Sequence, residues 1–252
     1  MTLLVAAVLL ARAPSLASWT GSTTPTSAST AFAVVRGPLP TTPPRLRAAR
    51  APLSTDERGY AVRLALGTLP PTSRDVDGQA GAEVLLADLP LVPTERSRRL
   101  VEVVLYDYTD NTTRQATVDL SSGTVASTHS ARGVQLPPTP AETGIALQTA
   151  LSATPHPRFV AEYRSLTHTP LVTAEQVHAI GLTWRSTAAA LDTTVSGACA
   201  SHRCVRLQID LPSGRYLDTS DFVVDLTVRR LITTPVAPTD QLENEQHDAH
   251  HD

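Results

Sequence analysis

VVLYDYTDNTTRQATVDLSSG, residues 103–123, reads as two β-strands joined by a polar turn and closed by a second turn at Ser121-Ser122-Gly123. A pleated strand sends successive side chains to opposite faces, and Asp, Asn, Ser and Gly supply the backbone freedom and local hydrogen bonds that a tight reversal needs. The same plan returns in VRLQIDLPSGRYLDTSDFVVDL, residues 205–226. There a strand ending in Asp is again followed by a turn and by a strand ending in Val-Asp-Leu. The repetition points to one structural unit present twice.

Working outward from these stretches, each has a helix signal upstream. Ser54-Thr55-Asp56-Glu57 is a capping box: the serine hydroxyl caps the backbone while the glutamate three residues on reaches back. The helix it opens carries Tyr60, Leu64 and Ala65 and stops at Gly67. Thr139-Pro140-Ala141-Glu142 is a second box, with Pro at the first helical position, and Thr143, Leu147, Ala150 and Leu151 follow as its apolar stripe. Phe159, Tyr163 and Leu166 mark a further helical stretch, and Thr173-Ala174-Glu175-Gln176 a shorter cap. Strands are expected at 83–91, 98–108, 113–120 and 124–130, then around Ile180, Leu182 and Trp184 as a half-buried strand, and at 205–211, 214–219 and 224–228. The fold class is therefore α+β: two tandem small units, 53–138 and 139–234, each a capped helix on an antiparallel sheet of three or four strands.

The flanks are different in kind. Residues 3–11, LLVAAVLLA, are too short an apolar run to span a bilayer and fit a signal-peptide core, with Ser15 and Ala17 at the small-residue positions of a cleavage site. Residues 1–17 are thus expected to be a signal peptide, although no Arg or Lys precedes the apolar run. Residues 18–52 are Ser/Thr/Pro-rich and read as a linker, its Arg45, Arg47 and Arg50 as a solvated basic patch. Residues 235–252 read as a disordered acidic tail containing His247, His250 and His251. The net charge of -3 gives no footprint for nucleic acid, and no membrane span is expected in the mature chain. All 21 basic residues are Arg, a bias of GC-rich bacterial genomes.

The tandem α+β plan, the text RRLVEVVLYDYTDNTTRQATVDLSSGTVAS and the following QLPPTPAET resemble the N-terminal, non-catalytic, cystatin-like domains of copper amine oxidases. The chain is also similar to exported proteins of actinobacteria. The first resemblance implies fold and export without oxidase chemistry. That family builds its quinone from a Tyr in an Asn-Tyr-Asp/Glu motif and holds copper with three His, two in a His-x-His pair. Here neither Asn111 nor Asn244 precedes a Tyr, and no His-x-His occurs.

A search for chemistry returns little. Cys199 and Cys204, the only cysteines, read as a disulfide pinning a hairpin loop between two strands; a metal site from Cys199, His202 and Cys204 lacks a fourth ligand. His247, His250 and His251, beside Asp248 and Asp252, form a candidate weak metal site, with an incidental solvated tail as the bland alternative. No Gly-x-Ser-x-Gly elbow, His-Glu-x-x-His helix or phosphate loop is present. Asp107, Asp119, Asp210 and Asp225 stand at equivalent places and are read as turn-closing acceptors. No catalytic residue, no cofactor-binding residue and no cofactor is assigned. The expectation is an exported, non-enzymatic binding module, secreted or at the cell surface, with an unknown protein or cell-wall ligand and with self-association left open. The alternative is an accessory or degenerate relative of a copper amine oxidase, or a weak extracytoplasmic metal binder acting through its tail.

Overall fold

The computed structural model describes residues 37–91, 97–184 and 193–234, all within one compact body, Phe32–Asp252. Residues 1–17, expected to be a signal peptide, and the histidines of the tail lie outside the described residues.

The first unit opens with α1, Thr55–Leu66, whose capping box at Ser54 and stop at Gly67 form as the residues dictate. Four antiparallel strands follow in simple meander order: β1 (Glu83–Asp88), β2 (Leu100–Asp107), β3 (Thr112–Asp119) and β4 (Thr124–Arg132). α1 lays Tyr60, Ala61, Val62 and Ala65 against Val101, Val103 and Leu105 of β2 and Ala116 and Val118 of β3. β2 is buried on both faces: Val104 and Tyr106 pack with Leu85 in a second cluster joined by Leu136. A one-faced sheet would leave those side chains in water. Residues 37–52 lie along this unit, with Leu39 on its core and the carbonyl of Pro40 accepting from Arg63 Nε at 2.7 Å.

The second unit begins with α2, Pro140–Ser152, capped by Thr139, and continues through α3, Arg158–Thr167, and a single 3-10 turn at Ala174–Gln176. Its sheet has five strands: β5 (His178–Thr183), β6 (Cys204–Asp210), β7 (Tyr216–Leu217), β8 (Phe222–Asp225) and β9 (Arg230–Thr233), with a short helix, α4 (Thr193–Cys199), between β5 and β6. β7 and β8 share one side of β6, β8 pairing with Cys204 and Val205 and β7 with Ile209 and Asp210. In the gap between them the Thr219 hydroxyl donates to the Leu207 carbonyl at 2.6 Å, so the ladder group there stays satisfied. The core gathers Ala146, Leu147 and Ala150 of α2, Phe159 and Tyr163 of α3, and Leu207, Ile209, Phe222 and Val224 of the sheet.

The period expected around Ile180 is present, but within β5 its face is reversed, and only Trp184, just past the strand, is buried as expected. Ile180 and Leu182 are each 42% exposed, while Ala179, Gly181 and Thr183 turn inward. Gly181 explains the choice: a Cβ there would overlap Thr143 Oγ1 and lie 2.7 Å from Pro138 Cγ, so only the small-residue face of β5 fits against the start of α2.

Candidate functional site

Each capping box ends in a glutamate that the fold uses a second time. In α1 the Glu57 N–H donates to Ser54 Oγ at 3.1 Å, and its carboxylate accepts from the Ser54 N–H at 2.8 Å. The same carboxylate accepts a fork from Arg99, Nε and Nη2 each at 2.9 Å, while Arg99 Nη1 donates to the carbonyls of Ala48, Ala49 and Ala51. In α2 the pattern recurs: Thr139 caps, Glu142 reaches back at 2.8 Å, and Arg203 donates Nε and Nη2 to its two oxygens at 2.9 Å, with Nη1 on the Leu136 carbonyl. The neighbours repeat as well. Arg98 pairs with Asp119 and His202 with Asp225; the Leu120 N–H donates to the Arg99 carbonyl and the Leu226 N–H to that of Arg203. This buried guanidinium–carboxylate pair, set by a dipeptide just before β2 and β6, is the structural identity of the two units. Its sequence signal was visible, since Arg98-Arg99-Leu100 and His202-Arg203-Cys204 stand in matching places.

The pairs differ in setting. The second lies at the joint between the units: Tyr108 of the first donates its hydroxyl to Glu142 Oε1 at 2.6 Å, and the Arg203 guanidinium sits 5.4 Å from the Tyr106 ring centroid. The Thr139 hydroxyl donates to Glu83 at 2.7 Å, and the Thr227 hydroxyl donates to Asn111 Oδ1 at 2.9 Å. Burial pushes Tyr106 up to about 12, and burial together with Glu142 raises Tyr108 well above the usual phenol range, so both remain protonated donors. Burial alone would raise Glu57, but the Arg99 guanidinium and the backbone N–H groups of Ser54 and Arg47 outweigh it and hold the carboxyl at about 2. These charges are engaged in holding backbone to backbone.

Cys199 and Cys204 are joined, with Cα atoms 5.5 Å apart. The bridge ties the end of α4 to the start of β6, correcting the expected hairpin loop, because residues 193–199 form a helical turn that brings Cys199 back over the sheet. With both thiols oxidised the Cys199, His202 and Cys204 metal reading falls, and His202 Nδ1 instead meets Asp225 at 2.7 Å. Asp107, Asp119 and Asp225 each accept from the N–H two residues on, as turn-closers do. Asp210 accepts the exposed His178 ring at 3.0 Å. His247, His250 and His251 lie outside the described residues. Among the described residues, no group of three or more His, Cys, Asp or Glu side chains is arranged to hold a metal ion, and no helix is long and apolar enough to cross a membrane.

The outward features are strand edges. β4 ends the first sheet and is exposed along nearly all of its nine residues, and β5 ends the second with Ile180 and Leu182 facing out.

No protein family and no curated sequence matches the chain. Among solved structures it is similar to a crystal structure of a copper-containing benzylamine oxidase from Hansenula polymorpha, at 13% identity with a TM-score of 0.44, over 76% of this chain. The chain spans 30% of the length of that structure.

Proposed function

We propose that the protein is an exported, non-enzymatic module that binds another protein, a wall polymer or a second copy of itself through its exposed sheet edges, β4 foremost. One observation carries the reading: β4 is a nine-residue edge strand, Thr124–Arg132, without Pro or Gly and with Arg132 as its single Asp, Glu, Arg or Lys. Such an edge presents a row of backbone donors and acceptors that an incoming strand completes, and this strand carries one charge and one irregularity, the bulge at Ala126, leaving Ser127–Arg132 in regular register. The disulfide favours an oxidising compartment, in keeping with the signal-like N-terminus. The buried Arg–Glu pairs fit a scaffold role, since both hold elements in place.

The test uses the full chain as bait against native culture supernatant and envelope, alongside Thr128→Lys, which places a charge at the centre of β4. A partner recovered with the wild type and lost with the variant supports the reading; equal recovery overturns the assignment to β4. Peroxide release is measured in parallel with primary amines on copper-loaded protein. Turnover would overturn the non-enzymatic reading.

A further inference from the structure

Three hairpins of this chain use one turn. The β2–β3, β3–β4 and β8–β9 pairs close at Asp107↔Thr112, Asp119↔Thr124 and Asp225↔Arg230, and in each the last loop residue is left-handed: Asn111 at φ 55°, Gly123 at 67° and Arg229 at 49°. Asn and Gly are the residues that tolerate this conformation; Arg is not. Arg229 thus stands where the turn itself favours another residue. Its side chain donates Nη2 to the Val76 carbonyl at 2.6 Å, and from that position it lines an open groove of about 540 Å³ with its neighbour Arg230.

The groove runs between the last turns of α2, the Thr154-Pro155 step and β9. Gln148, Thr149, Ser152 and Thr154 supply amide and hydroxyl groups, Ile145, Pro155 and Leu231 apolar wall, and no Asp or Glu lines it. Among the described residues the Arg230 guanidinium has no hydrogen-bond or ion-pair partner, and it presents its donors at the groove. The free carbonyls at the end of α2 oppose an anion weakly, since a helix C-terminus carries about half a negative charge, whereas two guanidinium groups carry two positive ones. Planar guanidinium forks match carboxylate and phosphate geometry, and side-chain amides and hydroxyls match sugar hydroxyls.

The geometry points to this groove as a binding site for a phosphate- or carboxylate-bearing sugar, with Arg229 and Arg230 on the anionic group and Gln148 and Ser152 on the hydroxyls. The inference deepens the binding-module reading and rests on it for the absence of turnover. An open groove admits either a free sugar or one unit of an anionic polymer.

The experiment is calorimetry on the full chain with glucose 6-phosphate and, separately, with polygalacturonate, against neutral glucose. Variants are Arg230→Gln, Arg229→Asn and, as an exposed arginine away from the groove, Arg215→Gln. Arg229→Asn restores a residue suited to the left-handed turn, so a loss of binding with unchanged thermal unfolding separates ligand contact from fold. Expected is binding of at least one anionic probe and none of glucose, weakened about tenfold by Arg230→Gln and by Arg229→Asn and unaffected by Arg215→Gln; tenfold corresponds to about 1.4 kcal/mol. Glucose 6-phosphate alone identifies a free sugar as the source, and polygalacturonate alone, or bound more tightly, a polymer. Silence with both probes, or equal weakening by Arg215→Gln, overturns the site. Chromatography of the recovered probe tests the other reading: a chemically altered probe would reject the non-enzymatic module even where the groove binds.

Discussion

Glu57 is fully buried and stays ionised, because Arg99 and two backbone N–H groups surround its carboxylate. Its carboxyl falls from an ordinary 4.5 to about 2, so the folded state binds its proton less readily than the unfolded chain. The resulting stabilisation is complete above about pH 4.5 and is lost as pH falls toward 2. By linkage it amounts to about 3 kcal/mol, and the lowered Asp107 and Asp119 act in the same direction. Urea unfolding midpoints should therefore drop steeply between pH 5 and pH 2 for the wild type, and less steeply for Glu57→Gln, which lacks the titrating group. Gly181 is the other residue whose surroundings leave one choice. Gly181→Val drives two methyl groups into Pro138 and Thr143 and should lower stability by about 1–3 kcal/mol in the same assay, with Gly144→Ala, which meets open space, as the control.

Among the elements, the two capped helices are the parts that the residues announce most plainly, since a capping box needs only four neighbours to form. Their glutamates take on a second partner from far along the chain, and this makes the helix starts stiffer than caps alone. Glu142→Gln leaves the Arg203 charge buried without a counter-charge and should cost about 3–5 kcal/mol, measured by thermal or urea unfolding. The α4–β6 bridge closes a short loop, and Cys199→Ser with Cys204→Ser should cost about 2 kcal/mol by releasing the unfolded chain. Free-thiol titration of the denatured, unreduced protein should find none; two thiols per chain would refute the bridge. The β8–β9 turn shows the limit of reading elements alone: Val-Asp-Leu precedes both turns, but Arg229 stands where Leu120-Ser121-Ser122-Gly123 has its glycine, and no residue preference announces the left-handed position in Leu226-Thr227-Val228-Arg229.

At the scale of the molecule, the units are joined by polar groups that neither unit could leave in water or bury alone. Tyr108 belongs to the first unit by chain order and to the second by contact, packing on its core and donating to Glu142. Tyr108→Phe keeps the ring and removes one of the two donors on Glu142 Oε1, Arg203 Nε remaining, and should destabilise by about 1–2 kcal/mol. If the joint couples the units, unfolding followed by Trp184 fluorescence and by far-ultraviolet dichroism should coincide in the wild type and separate in Tyr108→Phe.

Strand period, helix caps, the turn-closing role of Asp107, Asp119 and Asp225, though not of Asp210, and the pairing of two nearby cysteines were decided within short stretches of sequence, because the forces involved are local: pleat geometry, end-of-helix donors and loop closure. Even the duplicated plan could be read, since each copy repeats its own local signals. Which face of β5 turns inward was not, because it depends on Pro138 and Thr143 arriving from another element. The arginines showed in the sequence as matching dipeptide positions, but their partners did not: Arg99–Glu57 and Arg203–Glu142 lie 42 and 61 residues apart in the chain, and the groove where Arg229 and Arg230 meet the end of α2 was hidden as well. A charge in sequence reads as a solvated surface until packing removes the water, and only the tertiary structure determines where that happens.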